Sequence, residues 1–204
     1  VWEKPNSTAI DSFYVYKETN QANVYQKVGG TSFADSAIFD DVSSNPAIQA
    51  YRYKLSVVDS CGVESYLGDL HKTIHLTINQ GIGTSWNLIW SSYEGFAFPS
   101  YNIYRGTNSS NMVLLTTIAS NLNSYTDLNA PAGQLYYQIE VVSSYSCDPS
   151  KSFNTSRSNV VENGEAPSLV INQENNLVKV FPNPTNENIT ISVNNFTGNI
   201  KTEV

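Results

Sequence analysis

Polar and apolar side chains alternate along much of this chain. Between residues 51 and 57 the run YRYKLSV places Tyr, Leu and Val on one face and Arg, Lys and Ser on the other. Between residues 135 and 141 the run LYYQIEV follows the same period. A period of two with one apolar face is typical of a half-buried strand, and no window carries a helix-period apolar stripe of useful length. The pattern therefore predicts an all-β protein.

The chain also repeats itself. Four stretches recur: Trp2 and Trp90, FYVYKET (13–19) and YNIYRGT (101–107), FDDV (39–42) and YTDL (125–128), and YKLSVV (53–58) and YQIEVV (137–142). The spacing falls from 88 to 84 residues along the repeat, so the second copy is slightly shorter. A repeat of this length, with short strands and frequent turns, predicts an antiparallel sandwich module that occurs twice.

These positions resemble the fibronectin type III family. That family has a Trp on its second strand, a Tyr-x-hydrophobic pair on its third and a Tyr-x-hydrophobic-x-Val run on its sixth. The matching positions are Trp2/Trp90, Phe13-Val15/Tyr101-Ile103 and Tyr53-Leu55-Val57/Tyr137-Ile139-Val141. The resemblance implies tandem immunoglobulin-like sandwiches over residues 1–70 and 71–162, the first lacking its first strand. It also implies that Trp90 is a core residue and that Tyr53 or Tyr137 caps a corner through its hydroxyl.

The amino-acid pattern changes after the second copy of the repeat. Residues 163–176 are predicted to form a linker, because they begin with the polar, turn-forming stretch NGEAPS. Residues 177–204 resemble the start of the type A C-terminal sorting domain of the Bacteroidota type IX secretion system, in which a strand, a PNP turn and a second strand follow one another. The residues that carry this resemblance are Val180, Phe181, Pro182, Asn183, Pro184, Ile189 and Ile191. Proline removes a ladder donor and fixes φ, so the two prolines end the first strand. The resemblance implies a partial C-terminal β domain that engages the outer-membrane type IX machinery, and a secreted or outer-surface location.

Charge and hydropathy exclude several classes of partner. The formal net charge is -7, and no cluster of Lys and Arg is present. A phosphate backbone or an anionic membrane surface requires concentrated positive charge, which argues against nucleic acid and against a membrane surface as partners. No apolar run reaches the roughly 20 residues of a membrane-spanning helix, so membrane insertion is not expected.

The two cysteines, Cys61 and Cys147, each follow the last repeated strand of their own copy. Equivalent loops of modules joined end to end lie roughly 30 Å apart, at about 3.3 Å per strand residue. A disulfide requires Cα atoms within about 7 Å. We therefore predict that these cysteines are not paired with each other.

Neither the histidines nor the aspartates form a metal-binding pattern. His71 and His75 would share one face of a strand, but about 13 Å would separate them, so we expect linker and surface histidines. Asp40, Asp41 and Asp127 precede the last repeated strand. Paired carboxylates are calcium ligands, but no calcium-loop pattern is present, and turn-forming aspartates are the preferred interpretation. No cofactor site and no catalytic set can be assembled from the sequence.

Aromatic side chains are the alternative candidates for binding. Exposed rings stack on sugars, and loops on a rigid sandwich often carry binding sites. Five residues are candidate glycan contacts: Tyr16, Tyr93, Phe96, Phe98 and Tyr104. The other interpretation is that these rings make cross-strand pairs on outer sheet faces. Separately, Asp35-Ser36-Ala37 resembles the O-glycosylation site of Bacteroidota proteins, which makes Ser36 a candidate for modification.

Three functional hypotheses follow. The first is a non-catalytic C-terminal region of a secreted or surface protein, with spacer or interaction modules and a type IX sorting signal. The second is a pair of modules that bind polysaccharide or another surface ligand, or act as an adhesin. The third is the accessory tail of a secreted hydrolase whose catalytic domain lies upstream of Val1.

Overall fold

A computed structural model describes residues 1–7, 9–144 and 154–164, together with the backbone of 178–181 and 190–193. All regular elements in this part of the chain are strands, and all the strand pairs are antiparallel. The predicted all-β, immunoglobulin-like class is thereby confirmed. The chain divides into two compact units, residues 1–163 and 164–204.

The first module contributes one four-stranded sheet. Its strands are β1 (Ile10–Glu18), β2 (Tyr25–Ser32), β3 (Arg52–Asp59) and β4 (His71–Lys72), in the spatial order β2-β1-β3-β4. Strand β4 pairs with β3. The sheet therefore extends two residues past the position at which the sequence predicts the first module to end.

The second module is a two-sheet sandwich. One sheet has the order β5-β6-β9 and the other has β11-β10-β7-β8, with β12 also paired to β10. The strands are β5 (Leu76–Gln80), β6 (Trp86–Trp90), β7 (Ser100–Gly106), β8 (Val113–Ala119), β9 (Ser124–Asp127), β10 (Tyr136–Val142), β11 (Thr155–Arg157) and β12 (Val161–Glu162). The inward-facing residues of both sheets meet in one continuous core.

The second core contains the residues that the alternation predicts. Trp90, Tyr101, Ile103, Tyr137, Ile139 and Val141 are each at most 2% exposed. The Trp90 ring meets the Tyr101 ring edge-on, with centroids 5.4 Å apart. Edge-to-face contacts of this kind stabilise an aromatic pair beyond the area that it buries. The predicted core position of Trp90 is therefore confirmed.

The first sheet is covered on its inner face by loop aromatics. Phe13 and Val15 of β1 are buried. Trp2 meets Phe13 edge-on at 5.5 Å, the same arrangement that Trp90 makes in the second module, and Phe33 stacks on Phe13 at 5.9 Å. Among the described residues of the first module, no strand lies opposite this sheet. Leu55 on β3 is consequently only half-buried, whereas its counterpart Ile139 is fully enclosed.

The joint between the modules is fully structured. Lys72 on β4 pairs with Arg52 on β3, and its backbone N–H donates to the Glu94 carbonyl at 2.8 Å. The Glu94 carboxylate accepts from both Nε and Nη2 of Arg52, at 3.2 and 2.8 Å, and binds Lys72 Nζ at 3.1 Å. Arg52 also binds Glu18 of β1 at 3.2 Å. Backbone pairing and ion pairs therefore join the two modules without a free linker.

The second compact unit contains a hairpin-like pair of strands. Strand β13 (Val178–Phe181) pairs antiparallel with β14 (Thr190–Val193), and Val180 lies opposite Ile191. These strands fall where the sequence predicts a strand before and after the PNP turn. Residues 182–189 between them lie outside the described part of the chain.

Candidate functional site

Each module contains the same group of a cation, a carboxylate and a tyrosine, here called a triad, which is partly buried in the first module and more deeply buried in the second. In the second module Arg105 binds the Asp127 carboxylate at 2.6 Å, and the Tyr137 hydroxyl donates to the same oxygen at 2.9 Å. In the first module Lys17, Asp41 and Tyr53 make the equivalent contacts, both at 2.9 Å. The triads occupy matching positions of the sequence repeat. Each triad links the strand that carries the cation, β1 or β7, to the strand that carries the tyrosine, β3 or β10.

The electrostatics of the triads are those of a structural ion pair. Burial alone would raise the pKa of Asp41, but hydrogen bonds from Ser43, Ser44, Lys17 and Tyr53 outweigh it and hold that pKa well below its ordinary value. Burial and the neighbouring carboxylate raise the pKa of Tyr53 to about 12. The Asp41 carboxylate is thus kept charged and the Tyr53 phenol neutral, and burial together with the Asp127 carboxylate likewise raises the pKa of Tyr137.

The triads change the interpretation of the aspartates and of the corner tyrosines. Asp41 does form a turn, because its carboxylate accepts from the Ser43 N–H at 3.0 Å, but Asp127 ends strand β9 and is ion-paired. Tyr53 and Tyr137 are the residues predicted to cap a corner through the hydroxyl. Each hydroxyl instead donates to a side-chain carboxylate, Asp41 or Asp127. In the described residues, no group of three or more metal-ligating side chains lies together.

Both histidines lie at the joint between the modules. His71 Nδ1 lies 3.0 Å from the Tyr93 hydroxyl, and His75 Nδ1 lies 2.9 Å from the Pro46 carbonyl oxygen. His71 is exposed as a residue, but one edge of its ring meets Tyr93 and Phe96, and this partial burial lowers its pKa. The histidines therefore serve separate contacts, in agreement with their predicted linker position.

Three of the five candidate glycan contacts pack inward. Tyr93 is 8% exposed, its ring centroid lies 4.6 Å from that of Phe96 and 5.6 Å from that of Phe98, and burial raises its pKa to about 12. Phe96 and Phe98 are half-buried against the core. This loop therefore does not present the open aromatic platform that the sequence suggests.

Tyr16 and Tyr104, the other two candidates, lie on outer sheet faces at matching repeat positions. Their rings are half-buried. The Tyr16 hydroxyl donates to Glu64 at 2.6 Å, and the Tyr104 hydroxyl donates to Glu140 at 2.8 Å. Each ring is thus held in place by a carboxylate, although the two carboxylates come from different parts of the modules.

A small cleft of about 140 Å³ adjoins Tyr104. Its lining residues are Tyr104, Ser109, Ser110, Met112, Gln138 and Arg157. Beneath it Glu140 is 4% exposed and binds Nε and Nη2 of Arg157 at 2.9 and 2.8 Å. Sequence reasoning missed Glu140 and Arg157, because an acidic residue at a polar position of an alternating strand ordinarily faces solvent. Their pairing arises from the register between β10 and β11, which no local signal specifies.

The remaining candidate residues are placed as follows. Ser36 is exposed in the segment after β2, where a modifying enzyme has access. Cys61 is exposed and its thiol is free, whereas Cys147 lies outside the described residues, so the prediction on their pairing stays a prediction. Of the sorting-motif residues, Val180 and Phe181 lie in β13 and Ile191 lies in β14. Pro182, Asn183, Pro184 and Ile189 lie outside the described residues.

Comparisons with known proteins identify no family and no activity for this chain. No family model matches the chain, and no curated protein matches it. Two crystal structures of pectate lyase Pel3 from Pectobacterium carotovorum are similar to parts of it, at 22% and 19% sequence identity and a TM-score of 0.37 each. They cover 47% and 46% of this chain, which spans only 27% and 28% of theirs. A likeness this low supports no transfer of activity. Within the described residues, no helix has the length and hydropathy to cross a bilayer.

Proposed function

We propose that this chain is a non-catalytic region of a secreted or cell-surface protein. In it, the one-sheet first module and the two-sheet second module act as a spacer and interaction unit, and residues 177–204 begin a type IX sorting signal. The observation that carries the proposal is the β13–β14 pair, whose strands flank the Phe-Pro-Asn-Pro sequence and belong to a compact unit distinct from the modules. A translocon must recognise its signal whatever cargo precedes it, so a locally paired, separate unit suits that role.

The modules support the spacer role through their joint. Glu94 of the second module is bound by Arg52 and Lys72, and the Thr73 N–H donates to the Tyr51 carbonyl at 2.9 Å. Few contacts usually cross between neighbouring domains, and such domains are expected to move relative to each other. A structured joint of this kind favours a unit that holds its ends at a fixed separation.

The sorting proposal is tested by a fusion. The segment from Leu177 to the C-terminus of the native protein is joined to a periplasmic reporter in a type IX-competent host, with a secretion-deficient strain as control. We expect export that depends on the secretion system. Replacement of both turn prolines (Pro182→Ala with Pro184→Ala) should reduce export, whereas Lys201→Ala, outside the motif, should not. A reporter that stays periplasmic while a known sorting domain exports it would refute the proposal.

A further inference from the structure

The cleft beside Tyr104 is built from three elements of the second module. Tyr104 on β7 and Gln138 on β10 are register partners and form its floor. Ser109, Ser110 and Met112 enter from the segment between β7 and β8, and Arg157 enters from the end of β11. Side chains that are distant in sequence therefore converge on one small concave surface.

A buried carboxylate holds the two largest lining groups in place. Glu140 accepts from the Tyr104 hydroxyl at 2.8 Å through one oxygen and from Arg157 Nε at 2.9 Å through the other. Asn102 adds a longer contact at 3.4 Å. Long side chains fixed by such partners lose little conformational entropy when a ligand binds, which is the advantage of a preorganised site.

Among the described residues, several hydrogen-bonding groups at the cleft have no partner. Gln138 donates through Nε2 to the Ser158 carbonyl at 2.9 Å, which leaves its Oε1 as an acceptor. Arg157 binds Glu140 through Nε and Nη2, which leaves Nη1 as a donor. Within the described part of the chain, no partner occupies the hydroxyls of Ser109 and Ser110. The cleft thus offers donors, acceptors and a fixed aromatic ring together.

The charge of the site points to an uncharged ligand. Arg157 is the cation of the lining and is already neutralised by Glu140, and the whole chain carries a net charge of -7, which repels polyanions. Pockets for drug-sized ligands occupy about 300–1,000 Å³, so a cleft of about 140 Å³ has room for a single ring. We propose that this cleft binds one pyranose unit of a neutral polysaccharide, with Tyr104 and the free hydrogen-bonding groups as its contacts.

The test uses the full chain and defined oligosaccharides. The probes are three neutral trisaccharides (β-1,4-glucosyl, α-mannosyl and β-galactosyl) and, as the acidic comparison, trigalacturonate. Binding is followed by amide chemical shifts, which should move at Ser109, Ser110 and Gln138. For a single-ring subsite we expect a Kd of about 1 mM with at least one neutral probe.

The repeat provides matched controls. Tyr104→Ala should weaken binding at least tenfold, whereas Tyr16→Ala, at the equivalent position of the first module, should leave it unchanged. Ser110→Trp should fill the cleft without disturbing Glu140, and Ala22→Trp is its counterpart in the first module. Ser110→Trp thus keeps the test valid even if Tyr104→Ala alters folding.

Three results would overturn the proposal. One is no shift with any neutral probe at 20-fold excess over the expected Kd. Another is tighter binding of trigalacturonate than of the neutral probes, which would contradict the inferred charge preference. The third is an equal loss of binding in Ser110→Trp and Ala22→Trp, which would place the contact elsewhere. The sorting proposal is unaffected by any of them, because it concerns residues 177–204.

Discussion

The hydroxyl of Tyr137 donates a 2.9 Å hydrogen bond to the carboxylate of Asp127, and both side chains are almost completely buried. The same contact recurs at the same distance between Tyr53 and Asp41. The two modules thus share one polar contact although their sequences differ at most other positions. A buried carboxylate is costly unless paired, so we expect each member of the group to depend on the others.

Tyr137→Phe should destabilise the chain by about 1–3 kcal/mol, because it removes a hydrogen bond to a charged acceptor and leaves the rest of the ring in place. The measurement is urea unfolding at neutral pH. Tyr136→Phe, on the opposite face of the same strand, is the control and should stay within about 0.5 kcal/mol. Equal effects of the two substitutions would contradict the structural role of the Tyr137 hydroxyl.

Acid should act on the first module through Asp41. Its pKa is held below the ordinary value of about 3.9. Its contribution to stability is therefore complete above that value and is lost as the pH falls toward the depressed pKa of the folded state. The urea midpoint measured from pH 5 to pH 2 should fall less steeply in Asp41→Asn than in the unaltered chain. Asp40→Asn, at the exposed neighbouring position, should keep the original slope.

Trp90→Ala should cost about 3–5 kcal/mol, because it removes a large ring from a close-packed core and leaves a cavity. Its strand neighbour Ile89 is 46% exposed on the other face, and Ile89→Ala should cost about 1 kcal/mol or less. A cost below about 1 kcal/mol for Trp90→Ala would mean that the register of β6 is different from the one described here.

Gly95 is restricted by both its backbone and its neighbours. Its φ is +151°, and an added Cβ would lie 2.5 Å from the Tyr93 hydroxyl and 2.6 Å from His71 Nδ1. Gly95→Ala should therefore lower the free energy of unfolding by about 1–3 kcal/mol. Gly164→Ala, where a Cβ meets nothing within 4 Å, should be neutral. An unchanged free energy of unfolding in Gly95→Ala would contradict this prediction, because it would mean that the His71 and Tyr93 side chains move apart at little cost.

Ser36 should carry a glycan in a Bacteroidota host. The resemblance rests on Asp35-Ser36-Ala37, and the exposed position of Ser36 is compatible with modification. Intact-peptide mass spectrometry of the protein produced in that host should show added mass that Ser36→Ala and Asp35→Ala both remove. Ser32→Ala should leave the added mass in place. An unmodified peptide from the unaltered protein would end this hypothesis.

The sequence alone predicts the strands and the second core well. Alternation records burial directly, so Ile103, Tyr137 and Ile139 could be placed inward from period alone. The burial of the loop aromatics is harder to predict, because the pattern around a residue between strands, such as Tyr93, is compatible with an exposed ring and with a packed one. Glu140 and Arg157 could not be found, because their contact depends on which strands are neighbours. Local pattern does not carry that information.

The joint at Lys72 has a mechanical consequence. A flexible tether gives two modules an end-to-end distance that grows only with the square root of its length and fluctuates widely. Here the Lys72 backbone pairs with Arg52 of the first sheet and donates to the Glu94 carbonyl, so hydrogen bonds at the joint restrict the motion of one module against the other. Two linked modules gain from a second attachment only when their geometry lets both contacts form at once, and gain nothing when it does not. Restricted motion at the joint therefore narrows the range of spacings that two contacts, one on each module, could span.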